Sequence, residues 1–289
     1  MPPTWPLDPA RLRGVRVRWP AVYEWPPARL WVEPIRQGLA RHVPVEPAPV
    51  AQPYKGIVLF ELVAGGRLLD VAIDYADHPR VDERCVQRVG LYFKMQYLAD
   101  GYRWPHVLPG GYVPRSPRLY RYLPRLRALR DRRPPRLDVY GRFGVQFAGD
   151  LRRRVVERLA ADPRFRYGGG LGLVRYSRSL REAARAKVCI DLPGKGDLCF
   201  RLIEYLAIGA CVIGPPHRTR LHVPLTAGTH LVYARADLAD LTDLCVRYLE
   251  RDDLRERLYR ASREFFDRYL HRDQLAAYYL HCGLEQAGR

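Results

Sequence analysis

Lysine is almost missing from this chain. It occupies only positions 55, 94, 187 and 195 of 289, against a combined lysine and arginine count of 49. The basic charge is therefore arginine charge, which stays protonated and grips planar oxyanions as a fork. Long apolar runs are missing too: none approaches the ~18 residues that read as a membrane-spanning helix. The opening residues, MPPTWPLDPARLRG, have no apolar signal core, so a cytoplasmic protein is expected. The Pro-rich lead-in over residues 1–10 is expected to be loosely ordered. Cysteines 85, 189, 199, 211, 245 and 282 form no CxxC pair and are expected as reduced, mostly buried thiols. The eight histidines show neither HxxxH nor HExxH spacing, so no metal site is expected. There is no Walker A loop, no complete GxGxxG fingerprint and no internal repeat.

What is present is charge and alternation. A formal net charge of +18 attracts anions: nucleotides, nucleic acid or anionic lipid. An arginine bias together with 25 prolines is equally what gene base composition produces, and composition does not choose between the two origins. No nucleic-acid module is recognisable and the arginines spread over both halves, which argues against nucleic acid as the partner. Residues 1–110 read as a small α/β domain. It has strands near Val15–Arg18, Val43–Val50, Ile57–Val63, Arg67–Ile73 and Val89–Tyr97, and a helix over 28–42 that Pro34 weakens or kinks. Ala64-Gly65-Gly66 joins two of these strands as a hairpin. Residues 111–136 read as a hinge: a Pro/Gly-rich stretch, then the strongly basic helical segment PRLRALRDRRPPR, either a solvated face or a surface for anionic lipid or a phosphorylated acceptor. Residues 137–289 alternate strand and helix as a second doubly wound domain with closing helices. In it Leu137–Tyr140 is a strand ended by Gly141-Arg142-Phe143-Gly144, Gly168–Gly170 is a flexible loop, and a helix over Ser177–Ala186 is capped by Ser177 or Ser179.

The most informative stretch is KVCIDLPGKGDLCFRLIEYLAIGACVIGPP, Lys187–Pro216. The apolar run Val188–Leu192 is a buried strand, Gly194-Lys195-Gly196-Asp197 a Gly-rich loop, and the periodic residues Phe200, Leu202, Ile203 and Leu206 a helix. Gly209 ends the helix and Cys211–Ile213 is the next strand. Such a βαβ unit binds anions where the loop meets the helix N-terminus. Lys195 and Arg201 add positive charge there, and Glu204 lies one turn into the helix. Gly194 and Gly196 let the backbone approach an anion.

The run Arg201–Ile213, RLIEYLAIGACVI, resembles the donor-site helix of GT-B glycosyltransferases. The preceding YSRSLREAARAKVCIDLPG and the later DLADLTDLCVRYLERDDLRERLYRASREFFDRYL are similar to the flanks of that helix and to the closing helices of the same family. The resemblance covers residues 137–270 and is sharpest in the helix. It implies an α/β fold of two Rossmann-like domains facing a cleft, the N-terminal one small here, and an enzyme that moves a sugar from a nucleotide-diphosphate sugar to an acceptor hydroxyl. No cofactor or metal is implied beyond the nucleotide sugar as co-substrate. Glu204 is implied as the carboxylate that holds the ribose hydroxyls. Many retaining members carry a Glu eight residues upstream; here that position is Gly196, with Asp197 beside it.

Departure of the nucleotide diphosphate needs cationic groups. Arg142, Lys195 and Arg201 are the candidates; Arg142 is read at a sharp turn after a strand, or as a surface arginine. Glu204 has a structural alternative, an ion pair with Arg201 or Arg185. An inverting enzyme also needs a base on the first domain. Asp74, Asp77 and His78 stand at a strand end, with Asp74 first, and the competing reading is an Asx turn before Pro79. The acceptor, a glycan, a lipid-linked sugar or a small molecule, is open, and the inner face of an anionic membrane is a further contact considered. Two other functions stand beside the transferase: a basic nucleic-acid-binding protein and a non-catalytic glycosyltransferase-like binding protein.

Overall fold

A computed structural model describes residues 5–288; the first four residues of the expected lead-in lie outside them. In chain order the elements are β1 (Arg16–Pro20), α1 (Arg29–Leu39), β2 (Val45–Ala48), β3 (Ile57–Ala64), β4 (Arg67–Asp74), α2 (Glu83–Val86), β5 (Leu91–Lys94), β6 (Val107–Pro109), α3 (Arg118–Arg132), β7 (Leu137–Phe143), α4 (Gly149–Ala161), β8 (Tyr167–Leu171), α5 (Tyr176–Ala184), β9 (Ala186–Ile190), α6 (Phe200–Ile208), β10 (Cys211–Gly214), β11 (Val232–Tyr233), α7 (Leu241–Glu250), α8 (Asp252–Phe265) and α9 (Arg272–Ala287). The chain divides into two compact units. Unit 1 takes in the described chain up to Ser116, the segment Arg218–Pro224 and the chain from Asp267 onward; unit 2 takes in Pro117–His217 and Leu225–Phe266. Among the described residues no helix is long and apolar enough to cross a membrane.

Unit 1 is built on a six-stranded sheet in the order β2-β1-β3-β4-β5-β6. Only β3 runs against the others. The expected β3–β4 hairpin is present: Gly65 (φ 56) and Gly66 (φ 77) both take positive φ, which a two-residue turn between twisted strands demands. All four residues of β5 are buried, as a strand covered on both faces requires. Helix α1 turns Val32, Ile35 and Leu39 to the core and continues through Pro34.

The last helix corrects the expected boundaries. Instead of closing the second domain, α9 returns to unit 1. It lies so close to α1 that a Cβ on Gly38 would collide with the Arg272 carbonyl. Tyr279 stacks on Phe93 with ring centroids 3.8 Å apart and donates to the Gly110 carbonyl at 2.8 Å. An earlier, separate segment, Arg218–Pro224, also belongs to unit 1, and there Thr219 bridges to Leu98. Amphipathic periodicity shows that a helix has an apolar face but does not say which sheet that face covers.

The basic segment is likewise no linker. It forms α3, an integral helix of unit 2 with Leu119, Leu123 and Leu126 buried. Arg127 donates to the Ala207 carbonyl and Arg130 to the Ala186 carbonyl, with Arg130 also lying over the Tyr259 ring. Arg118, Arg121, Arg125 and Arg132 are exposed. At 100° per residue these four share an arc of about 60° on the outer face.

Unit 2 carries a five-stranded sheet in the order β11-β10-β9-β7-β8, parallel throughout. Its core runs from Val139 and Phe143 through Val188, Ile190, Cys211 and Ile213 to Leu241 and Leu258. All six cysteines are free thiols, four of them buried, as expected. Two local expectations change. The glycine triplet is the edge strand β8 itself, laid so closely on β7 that a Cβ at Gly169 would meet the Gly141 carbonyl. Helix α5 begins at Tyr176 after Arg175, without a serine cap.

His222, in the segment that returns to unit 1, stacks on Tyr278 with centroids 4.6 Å apart. Burial pushes its imidazole down to about 4. Its contribution to stability is therefore full above the unfolded value near 6.5 and is lost as pH falls toward 4, by at most about 3 kcal/mol. Melting temperatures measured across that range should fall, and His222→Phe should flatten that part of the profile.

Candidate functional site

The sheet of unit 2 reverses direction of growth between β7 and β9. From β7 the chain crosses to β8 on one side; from β9 it crosses to β10 on the other. The loops that leave the carboxyl ends of β7 and β9 therefore diverge, and the crevice between them is the usual ligand position in a parallel α/β sheet. Three loops edge it: Gly144–Ala148 after β7, Asp191–Cys199 after β9, and Pro215–His217 after β10.

Arg152, on α4, ties two of these loops together. It is 6% exposed and donates to the Gly144 carbonyl (2.9 Å) and to the Pro193 carbonyl through Nε (3.1 Å) and a terminal nitrogen (2.6 Å). Arg201, in the first turn of α6, does the same inside the second loop. It donates to Asp191 Oδ1 at 3.0 Å and to the Leu192 carbonyl at 2.6 Å, and lies over the Phe143 ring. Burial pushes the Asp191 carboxyl up, opposed by the Arg201 guanidinium. Desolvation works against the Arg201 charge, but Asp191 together with Cys199, Tyr205 and Glu204 outweighs it and raises the guanidinium. Behind them, Gly214 is required because a Cβ would collide with the Asp191 carbonyl. His217 hydrogen-bonds Tyr233 Oη at 3.0 Å, and burial lowers its pKa, so the ring is neutral at neutral pH.

The loop and helix of the central βαβ unit follow the expected pattern. Gly194 N–H donates to the Gly196 carbonyl at 3.0 Å, folding the loop on itself. Lys195 is exposed at the tip. Cys199 is the N-cap residue of α6 and its side chain makes no cap bond, and Gly209 (φ 83) ends the helix. Glu204 is 7% exposed and accepts from Tyr176 Oη at 2.9 Å. Arg201 donates to Asp191 and Arg185 to the Pro134 carbonyl.

Arg142 and Asp74 are placed differently from their expected settings. Arg142 is not beyond a strand: β7 continues to Phe143, Arg142 pairs with Gly170 of β8, and its guanidinium faces Glu182 at 3.5 Å. Asp74 belongs to unit 1 and is 2% exposed. Tyr92 Oη and Lys94 Nζ donate to its carboxylate, and it accepts the Ala76 N–H as well. Burial pushes the Asp74 carboxyl up and the Lys94 ammonium down, while each charge supports the other. The Asx-type bond to Ala76 means that the turn reading of this segment describes part of its structure. Asp77, on the same segment, accepts from Gln96 at 2.7 Å and is only half-buried.

Sequence reasoning missed Arg152, Asp191, Tyr176 and His217. Asp191 follows a buried strand immediately and His217 comes three residues after one, which is a usable signal. Arg152 looks like any outward arginine of an amphipathic helix, and its partners are carbonyls, which carry no sequence signature.

A family model described as glycosyl transferase-like matches residues 124–281, more than half of the chain. Among solved structures, a glycosyltransferase from Rickettsia africae ESF-5 is similar over 75% of this chain and 70% of its own, with 12% identity and a TM-score of 0.47. A comparison with curated proteins finds no match.

Two substitutions test the scaffold. Arg152→Met leaves the part-buried Gly144 and Pro193 carbonyls without their donor and should cost about 1–3 kcal/mol in chemical denaturation. Lys94→Met leaves Asp74 uncompensated and should cost about 3–5 kcal/mol, most of it recovered in the Lys94→Met, Asp74→Asn double variant.

Proposed function

The chain belongs to the glycosyl transferase-like family, and from that premise we propose that it transfers a sugar from a nucleotide-diphosphate donor to an acceptor hydroxyl by a GT-B-like, metal-independent route. The observation that carries this reading is Glu204: a carboxylate held by Tyr176 inside α6, one turn behind the helix N-terminus and a Gly-rich loop. A nucleoside diphosphate matches that sequence of groups. Its phosphates sit on the Gly194–Gly196 loop, where backbone and helix dipole favour anions. Lys195, on the exposed tip, closes over them as a mobile cation. Glu204 accepts the ribose hydroxyls.

Each group then has one task. Lys195 and the α6 N-terminus stabilise the negative charge that grows on the leaving diphosphate. Arg201 positions the loop through Asp191 and Leu192. Arg152 fixes the loop against the β7–α4 turn. Arg142 ties β7 to α5 through Glu182 and acts at the phosphates only through that order. For the acceptor proton we take Asp77 over Asp74, because Asp74 is enclosed by Tyr92 and Lys94 whereas Asp77 is half-buried. The exposed arginine arc of α3 is the surface we assign to any contact with an anionic membrane.

The test is ligand-induced stabilisation. The protein is heated with UDP, GDP, ADP, TDP and CMP and with their sugar conjugates. One nucleotide class should raise the melting temperature by mass action, and Glu204→Ala should remove most of that shift without lowering the ligand-free melting temperature to the same extent. The absence of a shift with every nucleotide would overturn the reading.

A further inference from the structure

Unit 1 holds an open cavity of ≈ 510 Å³ at the carboxyl ends of β1 and β2, against the first turns of α1. That volume suits a small-molecule ligand. Much of its wall is apolar, including Pro20, Val22, Val45 and Pro47. Val22 is 75% exposed, an aliphatic side chain with no cover from its own chain.

The polar groups in the wall are almost all engaged with each other. The Trp19 indole N–H donates to Tyr23 Oη at 2.8 Å, and the indole stacks on Phe60. Arg36 grips both oxygens of Glu33, at 2.9 and 2.7 Å, and Gln37 donates to the same carboxylate at 3.0 Å. Burial works against the Glu33 charge, but these donors hold its carboxyl below the ordinary value, so the Glu33–Arg36 pair stays ionised and self-contained. Two donors remain. The Arg29 side chain is exposed and its guanidinium forms no hydrogen bond or ion pair among the described residues, although its charge acts on both Tyr23 and Glu33. Burial raises the Tyr23 pKa, so at neutral pH the phenol keeps its proton while its oxygen accepts from Trp19.

We infer that this cavity binds an anionic amphiphile: an apolar chain or ring that carries one phosphate or carboxylate. Arg29 and Tyr23 hold the anionic head, and the wall around Val22 and Pro47 takes the apolar body. Arg29 and Arg36 against Glu33 leave the wall with a net positive charge, which favours an anionic head over a neutral one. A neutral polyol fits poorly, because it needs acceptors as well as donors and the carboxylate present is already gripped by three bonds. As the place of the acceptor, the cavity rests on the transfer proposed above; as a binding site, it does not.

The experiment is isothermal titration of the full chain with hexyl phosphate, inorganic phosphate and hexanol. Hexyl phosphate should bind roughly tenfold or more tightly than either fragment. Arg29→Glu and Val22→Asp, both at exposed positions and each checked for an unchanged melting temperature, should weaken it by a similar factor. Glu204→Ala should not weaken it. Equal binding of inorganic phosphate, no binding of hexyl phosphate, or indifference to Arg29→Glu would overturn the inference. Loss of binding in Glu204→Ala alone would place the ligand in unit 2 and overturn it as well. None of these outcomes bears on nucleotide-induced stabilisation, so the two readings fail separately.

Discussion

Guanidinium groups bonded to main-chain carbonyls are the interaction on which unit 2 depends. Arg152 serves Gly144 and Pro193, and Arg201 serves Leu192. Arg127 and Arg263 close the carboxyl end of α6 through Ala207 and Ile208, Arg158 binds Leu238, and Arg255 binds Tyr248 and Leu249. Carbonyls at helix ends and in loops have no partner within their own element. A planar fork with five donors satisfies several at once, and a lysine ammonium does not do so with comparable geometry. A large part of the basic charge is therefore internal scaffolding. The competition between an anion-binding surface and a compositional bias does not exhaust the arginines: many are structural, and the exposed arc on α3 is a separate set.

The same interaction explains how the candidate site keeps its shape. Divergent loops at a switch point have few backbone bonds to each other, so side chains must hold them. Arg152 does this between the β7 and β9 loops, and the Arg201–Asp191 pair does it within the second. With those loops fixed by buried groups, Lys195 stands exposed at the tip of the second. The Tyr176–Glu204 bond adds a positioned acceptor at the inner end.

The central βαβ unit was legible in the sequence because each of its parts is local. Val188–Ile190 and Cys211–Ile213 are continuous apolar runs, Gly209 is where the helix must turn left-handed, and Glu204 falls at a fixed distance from both. The β3–β4 hairpin was legible for the same reason. What failed was non-local. Helix α9 shows an apolar face whichever sheet it covers, and only its fit against Gly38 and Phe93 decides. Gly168–Gly170 reads as a loop until β7 is placed beside it. Arg142 reads as a turn residue until β8 pairs with it, and Asp74 reads as accessible until Tyr92 and Lys94 enclose it.

The central claim is that unit 2 takes a nucleoside diphosphate across the Gly194–Gly196 loop with its ribose on Glu204. A crystal structure of the protein with the nucleotide that stabilises it most tests this directly. The account predicts ribose hydroxyls within hydrogen-bond distance of the Glu204 carboxylate and phosphate oxygens on the backbone N–H groups of the loop and the α6 N-terminus. A nucleotide bound elsewhere, or bound here with its ribose turned away from Glu204, would contradict it.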